Sequence, residues 1–244
     1  MIPKKIHYFW FGGNEKPAKA QKCIESWKKF CPEYELVEWN ETNFDVHCMP
    51  YVEQAYEAKK FAFVTDVVRL YALYHEGGIY MDSDVEILKP LDSFLHHTAF
   101  SGFEAEDRFP TGLMASEKGS LWAKENLDWY IGKHMVKPDG TLDLTTNVKI
   151  IMKVMERFHV QLNNTYQDFP GYFTLYPRDV FCPYEPSTKK LITTENSVCI
   201  HHFAGSWVPP LNVYGKIEKF LSPIIGKETF GKLQTIKRMI IKNQ

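Results

Sequence analysis

Gly77-Gly78 separates two segments whose patterns demand different geometries, and this junction limits the folds open to the chain more than any other feature. Before it, residues 62–74 carry apolar side chains at positions 64, 67, 68, 71 and 74, the stripe of an amphipathic helix. After it, Ile79-Tyr80-Met81 forms a brief apolar strand that ends at Asp82-Ser83-Asp84. Glycine just past a helix end takes the left-handed cap conformation that side chains resist. A helix stopped by glycine and turned directly into a buried strand is a unit of an α/β sheet.

The flanking segments agree. Residues 5–11 read as an apolar, aromatic first strand that breaks at Gly12-Gly13; residues 16–30 have helical spacing, and residues 34–39 alternate as a second strand. Beyond the aspartates, residues 85–88 and 98–103 are expected to be extended, and residues 121–130 and 148–158 helical. Residues 168–187, rich in Pro, Tyr and Phe, read as an irregular aromatic-lined segment, and residues 197–202 as a late strand. No repeat or low-complexity stretch interrupts the chain.

The 244 residues suffice for one large domain with an appendage, and the break is expected near residue 210. Residues 211–244 hold seven basic side chains against two acidic ones, although the whole chain carries a net charge of only −1. That balance argues against nucleic acid as a bulk partner, since phosphate backbones call for a large positive excess. The basic stretch 232–242 has the character of an amphipathic helix for an anionic membrane surface, or equally of a solvated tail. Five cysteines without paired spacing read as reduced core thiols. No apolar run long enough to span a bilayer occurs, so a cytoplasmic location is expected, with the tail peripheral on the inner face of the cell membrane.

Asp82 and Asp84, at i and i+2 beyond a buried strand, can converge on one divalent cation; a hard ion such as Mg²⁺ or Mn²⁺ takes oxygen ligands and also binds phosphate oxygens. Loop capping is the plain alternative for an isolated pair of this kind. Asp66 and Arg69 share a face of the preceding helix. Val67, Val68 and Leu70 crowd them, which favours partial burial over a surface ion pair. In His201-His202-Phe203-Ala204-Gly205-Ser206-Trp207, an imidazole can ligate metal while Ser206 and Trp207 offer hydrogen-bond donors. Trp10, with Phe11 and Gly12, can stack a base or simply fill the core.

In order along the chain, these blocks resemble glycosyltransferase family 32, which includes capsular polysaccharide transferases and yeast-type mannosyl- and sphingolipid-sugar transferases. They are also similar to the catalytic core of the clostridial glucosylating toxins. The resemblance rests on Ile2-Pro3-Lys4-Lys5-Ile6-His7, Trp10-Phe11-Gly12, Trp27, Trp39, Thr65-Asp66-Val67-Val68-Arg69, the Gly77–Asp84 block and His201-His202 with Gly205-Ser206-Trp207. It implies a GT-A, Rossmann-like fold over residues 1–210 with a mostly parallel central sheet, and a retaining, Mn²⁺- or Mg²⁺-dependent transfer. The donor implied is a nucleotide-sugar, with UDP-hexose favoured; the acceptor is a saccharide or lipid-linked saccharide of surface polysaccharide or glycoconjugate synthesis. By the same resemblance Trp10 stacks the base, with Phe11, Gly12 and Ser83 in the nucleotide-sugar site. Asp66 and Arg69 hold the sugar and Tyr80 lines the pocket; Asp82, Asp84 and His202 bind the metal, and Ser206 and Trp207 meet the β-phosphate. Family members often carry Gly-Pro where this chain has Thr145-Thr146-Asn147. Glu104, Glu106 and Asn147 are candidates for the acceptor side.

Two other functions share some of these residues. A haloacid-dehalogenase-like phosphatase would use Asp82 as nucleophile and Asp84 as acid/base, but that motif belongs near an N-terminus and needs a downstream acidic pair. A non-catalytic carbohydrate-binding protein would keep the aromatics without needing Asp82, Asp84 and Arg69.

Overall fold

The computed structural model describes residues 1–185, 188 and 190–204; Gly205, Ser206, Trp207 and the basic tail lie outside them. In chain order the elements are β1 (Lys5–Phe9), α1 (Ala18–Phe30), β2 (Glu35–Trp39), α2 (Pro50–Glu57), α3 (Phe61–His75), β3 (Gly78–Met81), β4 (Val85–Ile87), β5 (Ala99–Gly102) and β6 (Leu113–Ser116). They continue with α4 (Leu121–Asp128), α5 (Asn147–Met155), β7 (Gln167–Phe169), β8 (Phe173–Tyr176), α6 (Arg178–Phe181), β9 (Tyr184–Glu185), β10 (Lys190–Leu191) and β11 (Cys199–His201).

A seven-stranded sheet in the order β2-β1-β3-β6-β5-β8-β7 divides two cores. Five of its strands run the same way, while β6 and β7 are reversed. Side chains alternate between its faces: Phe9, Trp39, Tyr80 and Met114 join the core under α3, whereas Ile6, Tyr8, Ile79 and Met81 join the one under α1. The second core is closed by a separate antiparallel pair, β4 with β11. Trp27 of α1 fixes that pair by donating its indole N–H to the Val85 carbonyl at 2.7 Å.

The predicted junction is present. α3 ends at His75, and Gly77 follows at φ +70° with Gly78 at φ +111°. Space is as restrictive as the backbone here: a Cβ on Gly77 would stand 2.6 Å from the Lys118 backbone nitrogen, and one on Gly78 would stand 2.9 Å from the Lys5 carbonyl oxygen. His7, fully buried on β1, contacts the Gly77 carbonyl through Nε2 at 2.7 Å and receives the Trp39 indole N–H at Nδ1, 3.0 Å away. That accepted bond places the ring proton on Nε2, and burial holds the imidazole below its ordinary pKa, in its neutral form.

Two segments differ from the sequence reading. β8 lies inside the stretch expected to be irregular, yet it is a buried member of the central sheet, parallel to β5. Its four residues, hemmed by Pro170-Gly171 and Pro177, are too few to show a period. β6 is also only four residues long, and is defined by its partners β3 and β5 on either side. All five cysteines are free; four are buried and Cys48 is exposed.

Gly77→Ala and Gly119→Ala test the junction as a pair, because Gly119 has nearly the same positive φ, +75°, but open space around it. The Gly119 variant is expected to cost about 1 kcal/mol, the conformational penalty alone, and the Gly77 variant about 2–4 kcal/mol from strain plus overlap. Urea denaturation midpoints at fixed slope measure both.

Candidate active site

The strands that run in the common direction bring their C-terminal ends to one edge of the sheet, and the polar residues gather there. β3 ends at Met81, and the Asp82 backbone N–H donates to the Gly112 carbonyl at 2.8 Å, so the chain stays paired just beyond the strand. A turn closed by the Val85 N–H on the Asp82 carbonyl, 2.9 Å, then presents Asp82, Ser83 and Asp84.

Asp82, Asp84 and His201 form the one group of potential metal ligands among the described residues, their donor atoms all within 4.8 Å of one another. His201 Nε2 stands 3.6 Å from Asp82 Oδ2 and 3.5 Å from Asp84 Oδ1. Burial alone would raise the Asp84 carboxyl, but His201 and the Ala204 N–H, which donates at 2.6 Å, outweigh it and hold the group below its usual range. For His201, burial works against the charged form; the two aspartates and Cys182 outweigh it and lift the imidazole to about 10. The two carboxylates suit Mn²⁺ or Mg²⁺ by donor type, an imidazole joins them on losing its proton, and a glycine, Gly112, makes room for the group. A Cβ there would stand 2.7 Å from Asp82 Oδ2 and 3.1 Å from His201 Nδ1.

The imidazole in this cluster is His201, whereas the sequence reading assigned His202. Strand parity explains the difference. β11 pairs with β4 so that His201 faces Val85 and Ile200 faces Glu86. His202 therefore continues on the side of Ile200, and its Nε2 meets Glu86 Oε2 at 2.8 Å. Phe203 stacks on the His201 ring with centroids 4.0 Å apart, a contact the sequence does not announce.

Asp66 and Arg69 lie beneath the cluster. Arg69 Nη2 stands 3.0 Å from Asp66 Oδ1, and each side chain is only 12 % exposed. The guanidinium covers the Tyr80 ring, 4.4 Å from its centroid, and the Tyr80 hydroxyl donates to Asp82 Oδ1. One chain of contacts therefore connects α3 to the aspartates. Burial raises the Asp66 carboxyl to about 6 against the opposing pull of Arg69. On Arg69 burial acts to lower the pKa, but Tyr80, Asp66 and Asp82 prevail and keep it firmly cationic. Asn147 at the start of α5 completes the arrangement, its backbone N–H donating to Asp66 Oδ2 at 3.2 Å and its side-chain amide to the Asp66 carbonyl at 3.3 Å. It serves Asp66 directly, although it was expected on the acceptor side.

The remaining predicted residues divide. Trp10 is partly exposed, with its indole N–H on the Asn14 carbonyl and Lys16 Nζ 5.8 Å from its ring. Phe11 is buried, edge-on to Phe44 at 6.4 Å; it is a core residue and not a wall of the nucleotide-sugar site, because alternation along the chain turns it inward as Trp10 turns outward. Gly12, at φ +91°, allows the Phe61 ring to pack close to its backbone. Ser83 is at the turn tip and Glu106 is exposed, while Glu104 is mostly covered. Ser206 and Trp207 lie outside the described residues.

Residues 17–101 match the family described as "glycosyltransferase sugar-binding region containing DXD motif". Among curated proteins, the chain is 35 % identical over 126 residues to inositol phosphoceramide mannosyltransferase 3 of Schizosaccharomyces pombe, covering 48 % of this chain and 34 % of that one. It is 32 % identical over 181 residues to inositol phosphoceramide mannosyltransferase 2 of the same organism, covering 67 % and 49 %. The chain thus spans between a third and a half of the length of these relatives. Among solved structures, the PaToxG glycosyltransferase is similar at a TM-score of 0.47 and 20 % identity, over 64 % of this chain and 69 % of that one.

The raised Asp66 pKa gives a signed stability prediction. The folded chain holds that proton more tightly than the unfolded one, so the group's contribution is complete at low pH and is lost as pH rises through about 6. Asp66→Asn, neutral throughout, should remove this slope. Denaturation midpoints measured between pH 4 and pH 7, about the range of the titration, should fall more steeply with rising pH in the wild type than in the variant.

Proposed function

We propose that this chain, which belongs to the glycosyltransferases with a DXD-containing sugar-binding region, transfers a hexose from a nucleotide-sugar with retention of configuration, using Mn²⁺ or Mg²⁺. The observation that carries the proposal is the convergence of Asp82, Asp84 and His201 above a buried Asp66–Arg69 pair. In this reading Asp82, Asp84 and His201 hold the cation. When bound, the cation neutralises the charge that develops on the departing diphosphate. Asp66 accepts hydrogen bonds from sugar hydroxyls. Arg69, held over the Tyr80 ring, presents its remaining N–H groups to donor oxygens. Asn147 keeps Asp66 in place, Trp10 offers its partly exposed ring to the base, and Ser83, Ser206 and Trp207 complete the donor contacts.

The curated relatives' names favour mannose as the sugar and a lipid as the acceptor. Similarity to bacterial members of the family favours a UDP-hexose donor and a saccharide or lipid-linked saccharide of surface or capsular polysaccharide synthesis. Among the described residues no helix is long and apolar enough to cross a membrane. The basic residues of 211–244 support peripheral attachment to an anionic membrane, with a catalytic unit over residues 1–210 on its cytoplasmic side.

A hydrolysis screen of UDP- and GDP-sugars with Mn²⁺ tests the reading: free nucleoside diphosphate should form, and chelation should stop it. Asp84→Ala and His201→Ala should each lower turnover by about 100-fold or more and weaken Mn²⁺ binding in calorimetry. His202→Ala should have a smaller effect on Mn²⁺ binding. Release of inorganic phosphate in place of nucleoside diphosphate would sink the transferase reading.

A further inference from the structure

A histidine that ligates metal is ordinarily oriented by a hydrogen bond from its second ring nitrogen to a carboxylate, a backbone carbonyl or water. His201 departs from that rule. Its Nε2 faces Asp82 and Asp84 at 3.6 and 3.5 Å, yet its buried Nδ1 has no hydrogen-bond partner among the described residues. The Cys182 thiol is directed at the Glu104 carbonyl, 3.9 Å away. Pairing of β11 with β4 sets the side on which the imidazole lies, but strand pairing does not fix the tilt of a ring. That tilt is left to packing.

Two neighbours confine the ring. Phe203 stacks on it with centroids 4.0 Å and planes 28° apart, and Tyr184 of β9 backs the Phe203 ring at 5.1 Å. The Gly112 backbone also closes in, since a Cβ there would stand 3.0 Å from His201 Cε1 and 3.1 Å from Nδ1. The chain accepts strain to put the phenylalanine in place. Phe203 has φ +49°, a left-handed conformation that bulky side chains resist and glycine adopts freely. Hydrogen bonds from the residues on either side hold it there: the His202 N–H donates to the Asp84 carbonyl at 3.1 Å, and the Ala204 N–H to Asp84 Oδ2 at 2.6 Å. The Phe203 side chain remains 39 % exposed, so its own burial does not explain a phenylalanine where glycine is favoured. Strain of this kind persists where its surroundings over-determine it, and it gathers at functional sites.

We propose that Phe203 is a positioning residue for the metal centre: its ring, in place of a hydrogen bond at Nδ1, fixes the His201 imidazole so that Nε2 points at the cation held by Asp82 and Asp84. The inference rests on the reading of that cluster as a cation site. Phe203 touches neither cation nor donor in this role; it acts through His201. One turn serves two ligands, because the hydrogen bonds that hold Phe203 in its left-handed conformation also orient Asp84.

The test titrates the full chain with Mn²⁺ and follows the electron paramagnetic resonance of the free ion. Phe203→Leu, which keeps bulk and removes the ring, should weaken Mn²⁺ binding about tenfold, the lower end of what losing a ligand's outer support costs. Phe203→Gly should weaken it as much, although relief of backbone strain leaves the metal-free chain melting no lower than Phe203→Leu. Phe203→Tyr restores the ring and should bind Mn²⁺ like wild type. A double-mutant cycle with His201→Ala decides the mechanism. In that background Phe203→Leu should change Mn²⁺ affinity by no more than about twofold, because no imidazole is left to hold. Mg²⁺, which relies on oxygen ligands, should lose less affinity than Mn²⁺ in Phe203→Leu. Equal Mn²⁺ affinity in wild type and Phe203→Leu would overturn the proposal. A loss that persists undiminished beside His201→Ala would also overturn it, by making Phe203 a general support of the fold. Absence of Mn²⁺ binding in wild type is a distinct result: it would remove the cation reading of the cluster, and this inference with it. Should Phe203→Leu not fold, Phe203→Gly takes its place in the cycle.

Discussion

His7 ties together three parts of the chain that are distant in sequence. Its two ring nitrogens join the Gly77 carbonyl, at the end of α3, to the Trp39 indole, at the end of β2. The ring itself sits on β1, between the strands on which those groups depend. The Trp39 contact does not survive protonation, because an imidazolium has no acceptor for the Trp39 N–H. Burial, which keeps the ring neutral, is therefore a condition of the architecture. The missing Cβ atoms of the two glycines are what let the Lys5 and Lys118 backbones approach, so that α3 leads into β3 through a two-residue turn.

The site inherits its order from that junction. Tyr80 is on β3, one residue before Met81 and two before Asp82, and its ring is clamped by Arg69 of α3. Since α3 leads into β3 through Gly77-Gly78, the Asp66–Arg69 pair and the aspartates beyond β3 are placed relative to each other by a tight turn and not by a long loop. The third side chain of the cluster, His201, comes from β11, outside the main sheet, where antiparallel pairing with β4 sets which imidazole faces the aspartates. The cluster is thus assembled from two sheets, and Trp27 of α1 connects α1 to the second of them.

Much of this was legible from residues alone, and the parts that were not have identifiable causes. Helix α3, strand β3 and the glycine cap are local, periodic features, so the sequence displays them directly. Asp66 and Arg69 were readable because apolar neighbours at 67, 68 and 70 imply burial. The choice between His201 and His202 was not readable, because it depends on the register with β4, a contact more than a hundred residues away. Asn147 was read as an acceptor-side candidate; only the fold shows its backbone N–H on Asp66. Phe203 and Gly112 escaped attention because a stacking partner and a missing side chain have no sequence pattern of their own.

The adjacent histidines also bear on how the strand tolerates error. A one-residue slip normally exchanges the faces of a strand and removes a ligand from its site. In Cys199-Ile200-His201-His202, both of the first two residues are apolar and both of the last two are imidazoles. A shifted β11 would bury Ile200 where Cys199 now lies and present His202 where His201 now stands. Duplication makes this short strand readable in either frame, with an imidazole beside the aspartates in both.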